Sequence, residues 1–264
     1  MRITANIQGG LGNQLFIIFT TIAYCIKFGL KYEFVQNDIS PSCTFRTTYW
    51  KTILSKIPTV EALSFNPEIV YNDIDENVYN EIPDLRHYNK NVCFNGYFQS
   101  HRYFDRIYPL IVNSINSINP DYINNLNAIL SLIKQDAAGS PIVFIHIRHG
   151  DYYIYSNILS MDYYKEAISH FDPNTFYVIF SDDINYCKEN FAFLSKKKFI
   201  EEQDFIELLL MSKMDGAIIA NSTFSWWGAY LMDPKKSKKV VAPKNWKKDS
   251  LTQNDRYLPH WIII

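Results

Sequence analysis

The fold is decided by the stretch Pro141-Ile-Val-Phe-Ile-His146-Ile-Arg148-His149-Gly150-Asp151, in which an apolar, β-branched run ends abruptly in charged residues and a glycine. Residues 142–147 do not alternate with polar residues, so they predict a central strand of a sheet that is covered on both faces. Ligands of open α/β sheets bind beyond the carboxyl ends of such strands. Arg148 is therefore expected at a ligand, with a permanent charge that binds phosphate oxygens through a planar fork.

Composition limits the class of protein. The chain has 264 residues, of which 47% are hydrophobic, enough for one large α/β domain or two small ones. A net charge of -1 gives no electrostatic attraction to nucleic acid, so we exclude nucleic acid as a partner. The four cysteines have no close pairs, which argues against a zinc knuckle or a disulfide framework and favours a reducing compartment.

The N-terminal region predicts a cytoplasmic protein. Its first ten residues do not have the composition of a secretory signal. The apolar run from Leu15 to Ile26 stops at Lys27, short of the roughly 20 residues that a membrane span requires. We therefore expect at most peripheral membrane association, and the sequence leaves the oligomeric state open.

A glycine-rich loop near the start joins a strand to a helix. Residues Ile3 to Ile7 predict the strand and Gln14 to Phe28 the helix, with Asn13 as its N-cap. Glycines at such a junction allow the backbone to approach a ligand closely, and the positive end of the helix faces the gap. The loop has neither the P-loop ending nor the Gly-x-Gly-x-x-Gly spacing, so taken alone it is a weak signal.

The rest of the chain alternates between strands and helices, apart from residues 37–89, which four prolines divide into short pieces. Such alternation predicts parallel sheets with right-handed crossovers, here occurring twice. Small residues and a proline in 135–141 mark the boundary, which gives domains 1–138 and 139–264. The remaining predicted strands are 32–35, 92–94, 176–180, 217–220 and 240–242, and the remaining predicted helices are 100–112, 121–134, 161–171, 184–190, one capped by Asp204 and one that Pro234 ends.

Three predicted strand ends in the second half carry polar residues: His146 with Arg148, Ser181-Asp182-Asp183, and Asn221 to Ser225. Arg148 has the chemistry to neutralise a diphosphate, and hydroxyls and amides at a helix N-terminus bind one as well. A carboxylate at the neighbouring strand end suits the N–H donors of guanine or a ribose diol. Together these residues predict a nucleotide site.

Each of these residues also has a structural interpretation. His146 is compatible with a hydrogen-bonded core histidine, and Asp182-Asp183 with a turn that caps the following helix. Adjacent carboxylates do not have the Asp-x-Asp spacing of metal-dependent sugar transfer, so we predict no metal and no cofactor. Arg148 is hardest to explain in this way, because a guanidinium at the end of an apolar strand needs an anionic partner.

Five motifs together resemble the α-1,2-fucosyltransferase family, glycosyltransferase family 11. They occur in the family's order over nearly the whole chain: Gly9-Gly-Leu-Gly-Asn-Gln14, Gly96-Tyr-Phe-Gln-Ser100, His146-Ile-Arg-His-Gly-Asp151, Ser181-Asp-Asp183 and Ile219-Ala-Asn-Ser-Thr-Phe-Ser-Trp-Trp-Gly-Ala-Tyr-Leu231. The resemblance implies a GT-B architecture of two Rossmann-like domains facing across a cleft. It also implies GDP-fucose as donor, a glycan acceptor, and transfer with inversion and without a metal.

The resemblance also implies roles for individual residues. Arg148 matches the arginine that holds the donor diphosphate. Asn13 matches the asparagine of the related Gly-x-x-Gly-Asn-Gln loop in protein O-fucosyltransferases, which reaches the scissile bond. Asp151 is a candidate base, or a residue that orients Arg148. His149 replaces the second arginine of the family's pair and is only partly charged near neutrality. The residues implied to bind the donor nucleotide are Gly10, Gly12, His146, Arg148, Asp182 or Asp183, Ser222, Thr223, Phe224 and Ser225.

The function implied is transfer of L-fucose from GDP-β-L-fucose to O2 of a terminal galactose in an acceptor glycan. Two alternatives stay open at this point: a GT-B transferase that uses another nucleotide sugar, and a catalytically inactive protein that binds GDP or a glycan.

Overall fold

The chain forms two compact units in a computed structural model that describes residues 1–40, 46–75, 78–150, 158–233, 237–246 and 255–264. The first unit comprises Met1–Asn119 and Thr252–Leu258, and the second comprises Pro120–Leu251 and Pro259–Ile264. Each unit is α/β, as the sequence predicts.

The first unit is built on a parallel sheet beside a long buried helix. Its described strands are β1 (Arg2–Ala5), β2 (Lys31–Tyr32), β3 (Ile39–Ser40), β4 (Arg46–Thr47), β5 (Ile69–Asn72) and β6 (Val92–Asn95), and its described helices are α1 (Leu11–Phe28) and α2 (Tyr108–Asn116). The sheet order is β2-β1-β6-β5, and all its pairs are parallel. Strands β3 and β4 form a separate antiparallel pair.

Helix α1 is the core element of the first unit. It is apolar around most of its surface, and it ends at Gly29, whose φ of 66° is the left-handed conformation that favours glycine. Length and composition alone would let this helix cross a membrane, but 78% of the stretch is buried inside the protein. A core helix and a signal sequence meet the same criterion, so this finding is weak evidence for a membrane span.

The second unit contains a six-stranded sheet in the order β12-β11-β10-β7-β8-β9, with every pair parallel. Its described strands are β7 (Ile142–Ile147), β8 (Phe176–Ser181), β9 (Lys197–Ile200), β10 (Gly216–Ile218), β11 (Lys239–Ala242) and β12 (Ile262–Ile263). Its described helices are α3 (Pro120–Ala137), α4 (Met161–Ser169), α5 (Ile184–Asn190), α6 (Asp204–Met211) and α7 (Thr223–Met232). All six residues of β7 are buried, as a strand covered on both faces requires.

This strand order is that of a Rossmann fold. From β7 the chain adds β8 and β9 on one side, then returns to add β10, β11 and β12 on the other. The order therefore reverses between β7 and β10, and ligands of such sheets bind at this switch point.

The bounds of the units differ from the predicted division at 138/139. Helix α3 belongs to the second unit, since it buries Leu126 and Ile133 and its Tyr122 ring lies 4.9 Å from the ring of Phe205 on α6. Residues 135–137 complete α3, and 138–141 form the turn to β7, where Ala138 and Gly139 adopt positive φ. The segment Thr252–Leu258 groups with the first unit, which no local feature of the sequence indicates.

Candidate donor and loop sites

The carboxyl ends of β10, β7 and β8 lie side by side in the second unit. Because these strands are parallel neighbours, the residues that follow them meet at one edge of the sheet. Arg148 follows β7, Asp182 follows β8, and Asn221 to Ser225 lead from β10 into α7. The structure thus brings together the three polar strand ends that the sequence singles out.

Arg148 is held by an acidic partner at this edge. Its Nη1 lies 2.9 Å from Oδ2 of Asp182, and about a quarter of each side chain is exposed. The backbone N–H of His149 donates to Oδ1 of the same carboxylate at 2.9 Å. A Cβ at Gly150 would approach Asp182 Oδ2 to 2.9 Å, so a larger residue there would displace this carboxylate. Asp182 therefore orients the guanidinium, and its predicted contact with guanine stays a prediction.

Asp183 caps helix α5. Its Oδ1 accepts from the N–H of Tyr186 at 3.0 Å, and its Oδ2 lies 2.9 Å from Nδ1 of His149. These contacts, the Tyr186 N–H first and the His149 side chain second, lower the pKa of Asp183. The His149 ring stacks on Tyr186 at 4.0 Å. The structural interpretation of this aspartate, a turn that caps a helix, is the one that the structure supports.

His146 is buried and neutral. It lies near the end of β7, two residues before Arg148, and its ring lies 5.4 Å from that of Phe224. Burial, with a smaller effect from the Arg148 cation, lowers the pKa of His146 to about 3. Its Nδ1 has no hydrogen-bond partner among the residues that the structure describes. A buried nitrogen of this kind is available to a ligand.

The start of α7 offers amides rather than the hydroxyl of Ser225. Ser222 is the N-cap and accepts from the N–H of Phe224. Ser225 is fully buried, and its hydroxyl donates inward to the carbonyls of Ser222 and Ala220 at 3.2 and 3.4 Å. The phosphate contact predicted for this hydroxyl is therefore not supported. Thr223 and Phe224 are partly exposed, and the first amides of a helix attract anions.

The first unit has its own switch point, between β1 and β6. The glycine loop follows β1, and the loop 96–100 follows β6. Oδ1 of Asn13 accepts from Nε2 of Gln99 at 3.0 Å, which joins the two loops. Gln14 Nε2 donates to the carbonyls of Gly9 and Thr47, both at 2.9 Å, and so fixes the loop.

Asn13 is not the N-cap of α1, contrary to the prediction. The helix begins at Leu11, with Gly10 in the cap position and no side-chain cap, so Asn13 lies in the first turn. The extra turn forms because Leu11 and Gly12 are both buried and extend the apolar face of the helix. Asn13 is thereby free of the capping role that the sequence suggests, and its amide bonds Gln99 instead.

Two predictions about the candidate site, the role of Asp151 and the independence from metal, are not tested by the geometry. Asp151 lies outside the described residues. Within the described ranges, no group of three or more His, Cys, Asp or Glu side chains is placed to hold a metal ion. Independence from metal stays a prediction.

Solved structures with a similar fold include fucosyltransferases. The NodZ α-1,6-fucosyltransferase, in crystals soaked with GDP-fucose, matches with a TM-score of 0.53 and 12% identity over 86% of this chain and 91% of that one. POFUT1 in complex with GDP matches with a TM-score of 0.54 and 12% identity over 91% and 97% of the two chains. Two Rossmann-like units with this likeness define the chain as a protein of the GT-B fold class.

The family follows from the sequence comparison. The model of glycosyl transferase family 11 matches residues 2–264, so the chain belongs to this family. It is 34% identical over 173 residues to the Escherichia coli O-antigen biosynthesis glycosyltransferase WbnK, covering 58% of this chain and 55% of that protein. It is 30% identical over 190 residues to an E. coli alpha-1,2-colitosyltransferase, covering 66% and 62%. The matches thus span little more than half the length of these curated relatives.

Proposed function

We propose that this protein transfers L-fucose from GDP-β-L-fucose to O2 of a terminal galactose in an acceptor glycan, with inversion and without a metal. The observation that carries the proposal is the position of Arg148, which follows β7 at the switch point between β7 and β10. Asp182, which follows the neighbouring strand β8, orients its guanidinium. The fold is shared with proteins whose structures hold GDP or GDP-fucose, which supports a GDP-sugar as donor.

The chemistry requires stabilisation of a leaving diphosphate. As the bond between fucose and phosphate breaks, GDP gains negative charge, and without a metal the protein must bind that charge. The guanidinium of Arg148 and the first amides of α7 are fixed before the reaction, so they stabilise the charge without reorganisation. His146, kept neutral by burial, lies beside them and places no second charge there.

The residues proposed to act on the acceptor are Asn13 and Asp151, and the proposed linkage is supported by the name of a relative. Asn13 supplies an amide at the glycine loop, and Asp151 is the candidate that takes the proton of the acceptor hydroxyl. The name of one relative, an alpha-1,2-colitosyltransferase, supports a 1,2 linkage.

That same name favours a second candidate function, in which the transferred sugar is colitose rather than fucose. The geometry described above supports binding of a diphosphate and a nucleotide, which both donors would share. The identity of the sugar therefore has to come from a donor panel.

The test measures GDP release by the purified chain with GDP-fucose, GDP-mannose and a GDP-activated colitose, each against a panel of glycans with terminal galactose. We expect GDP-fucose to give the highest kcat/KM, activity to persist in EDTA, and linkage analysis to show fucose α-1,2 to galactose. A preference for colitose would transfer the proposal to the second candidate. GDP binding without release for every donor and acceptor would overturn transferase activity.

A further inference from the structure

Arg256 is a buried cation that lies, along the sequence, outside every motif that the sequence analysis singles out. It belongs to the first unit, and only 1% of its surface is exposed. A guanidinium out of water is costly unless hydrogen-bonded, so its partners deserve explanation. One of them is Gln99: Nε of Arg256 donates to Oε1 of Gln99 at 2.8 Å.

Gln99 also bonds Asn13, so it links Arg256 to that residue. Its Nε2 donates to Oδ1 of Asn13 at 3.0 Å, and only 7% of Gln99 is exposed. A neighbouring bond joins the same two segments, since the Ser100 hydroxyl donates to the carbonyl of Asp255 at 2.9 Å. The loop of Gln99 is itself fixed by the N–H of Phe98, which donates to Asp73 at 2.7 Å. The three side chains therefore form an ordered row.

The chemistry of arginine sets the direction of this row. A guanidinium has donors and no acceptor, so Gln99 must turn its oxygen towards Arg256 and its NH₂ group towards Asn13. Asn13 must then turn its own oxygen towards Gln99. Its NH₂ group is left on the opposite side, at the glycine loop, where a Cβ added to Gly9 would lie 2.5 Å from Nδ2. An amide can otherwise sit in either of two orientations with the same shape.

We propose that Arg256 is a positioning residue, which acts through Gln99 to make Asn13 present an N–H donor, rather than a carbonyl acceptor, to an oxygen of the substrate at the glycine loop. The inference rests on the proposed function, since it assigns Asn13 a part in glycosyl transfer. It gives a role to Arg256, which lies in no motif, and to Gln99, which lies in a motif without an assigned role. It also sets the orientation of the Asn13 amide, which the fold alone does not set.

The decisive variant is Gln99→Glu. Glutamate has the same shape and keeps an oxygen for Arg256, so the fold and its melting temperature are expected to be retained. It has no N–H for Asn13, whose amide then turns to donate to the new carboxylate and presents its oxygen to the substrate. We expect kcat to fall about 100-fold, the usual cost of one lost donor at a developing charge, with KM for the donor within about twofold of wild type. Gln135→Glu, on the exposed surface of α3, adds the same charge and is expected to have no effect.

Two further variants test the row itself. An ammonium also only donates, so Arg256→Lys is expected to retain more of kcat than Arg256→Met, which removes the donor. In an Asn13→Ala background, Gln99→Glu is expected to cost less than twofold, because its effect passes through Asn13. A wild-type kcat in folded Gln99→Glu, or an equal loss with and without Asn13, would overturn the proposal.

A measurement without turnover separates this inference from the proposed function. The side-chain NH₂ signals of Asn13, assigned in NMR spectra by their loss in Asn13→Ala, are expected to shift in Gln99→Glu and stay in place in Gln135→Glu. If the wild type releases no GDP with any donor while these signals respond, transfer fails and the orientation stands. Signals that do not respond would refute the orientation whatever the activity.

Discussion

The two switch points of this protein both lie within a parallel sheet, where the chain changes from one side of its first strand to the other, but they differ in chemistry. In the second unit, between β7 and β10, the polar groups are charged: Arg148 pairs with Asp182 at 2.9 Å. In the first unit, between β1 and β6, they are neutral amides. Besides Asn13 and Gln99, an exposed row runs along the strand ends, in which Asn6 Nδ2 donates to Asn95 at 3.0 Å and Asn95 Nδ2 donates to Asn72 at 2.8 Å.

This difference indicates that strand order determines where on the sheet a ligand binds, and that the side chains at that place determine which kind of ligand it is. A cation with helix amides suits a diphosphate, whose charge must be matched. Amides carry both donors and acceptors and suit hydroxyl groups, which also do both. Under the proposed function, the charged switch point would therefore bind the nucleotide and the neutral one would serve the sugar chemistry.

The largest effect is expected from a variant that removes the cation of the charged switch point. Arg148→Ala removes the cation that we propose to stabilise the leaving diphosphate, and we expect kcat for GDP release to fall by about 10²–10³, or roughly 3–4 kcal/mol. Both partners of its ion pair are partly exposed, so the melting temperature is expected to change little.

Arg148→Lys is the matched control for charge. It keeps a cation but loses the fork, so an intermediate kcat is expected. Turnover like that of the wild type in folded Arg148→Ala would mean that the charge of this switch point does not serve the reaction, and the contrast between the two units would lose its functional meaning.

Local sequence predicted the central elements and missed most of the edge strands, β2 being the exception. Strand β7 follows from six buried residues in a row, and α5 from its cap and length. Strands β9 and β5 were missed because they lie at sheet edges, where half-exposed residues such as Lys197 and Lys198 hide an apolar pattern. An edge strand carries little sequence signal of its own.

The same limit applies to the sites. Arg148 and Asp182 were predicted because each directly follows a strand whose neighbours could be guessed. Arg256 was not, since its partner Gln99 is 157 residues away and nothing near Arg256 marks it as buried. Ser225 was assigned a phosphate contact because sequence gives the hydroxyl but not its direction, which the structure shows to be inward.

A smaller effect is expected at the neutral switch point, where alanine variants of two adjacent glycines are compared for their stability. Gly9 has a φ of 77°, and a Cβ there would lie 2.5 Å from Nδ2 of Asn13, whereas a Cβ at Gly10 would meet nothing within 4 Å. Gly9→Ala is therefore expected to cost about 1–3 kcal/mol of unfolding free energy, from backbone strain and the displaced amide. Gly10→Ala is expected to be nearly neutral in thermal unfolding. Equal melting temperatures for the two variants would show that the loop does not need the left-handed conformation.

The smallest effect tests whether His146 adds to the charge of the charged switch point, through the pH dependence of the unfolding free energy. His146 in the folded protein has a pKa of about 3, below the ordinary value of about 6.5 in the unfolded chain. Between these values the unfolded chain binds the extra proton, so the stability contributed by His146 is complete above about pH 6.5. As pH falls below that value, it decreases by about 1.4 kcal/mol per pH unit. In His146→Gln this contribution is absent, and the unfolding free energy from urea titrations is expected to fall less steeply between pH 6.5 and 5 than in the wild type. Equal slopes would mean that His146 is protonated in the folded protein and adds a second positive charge beside Arg148, in which case the charge at this switch point would vary with pH.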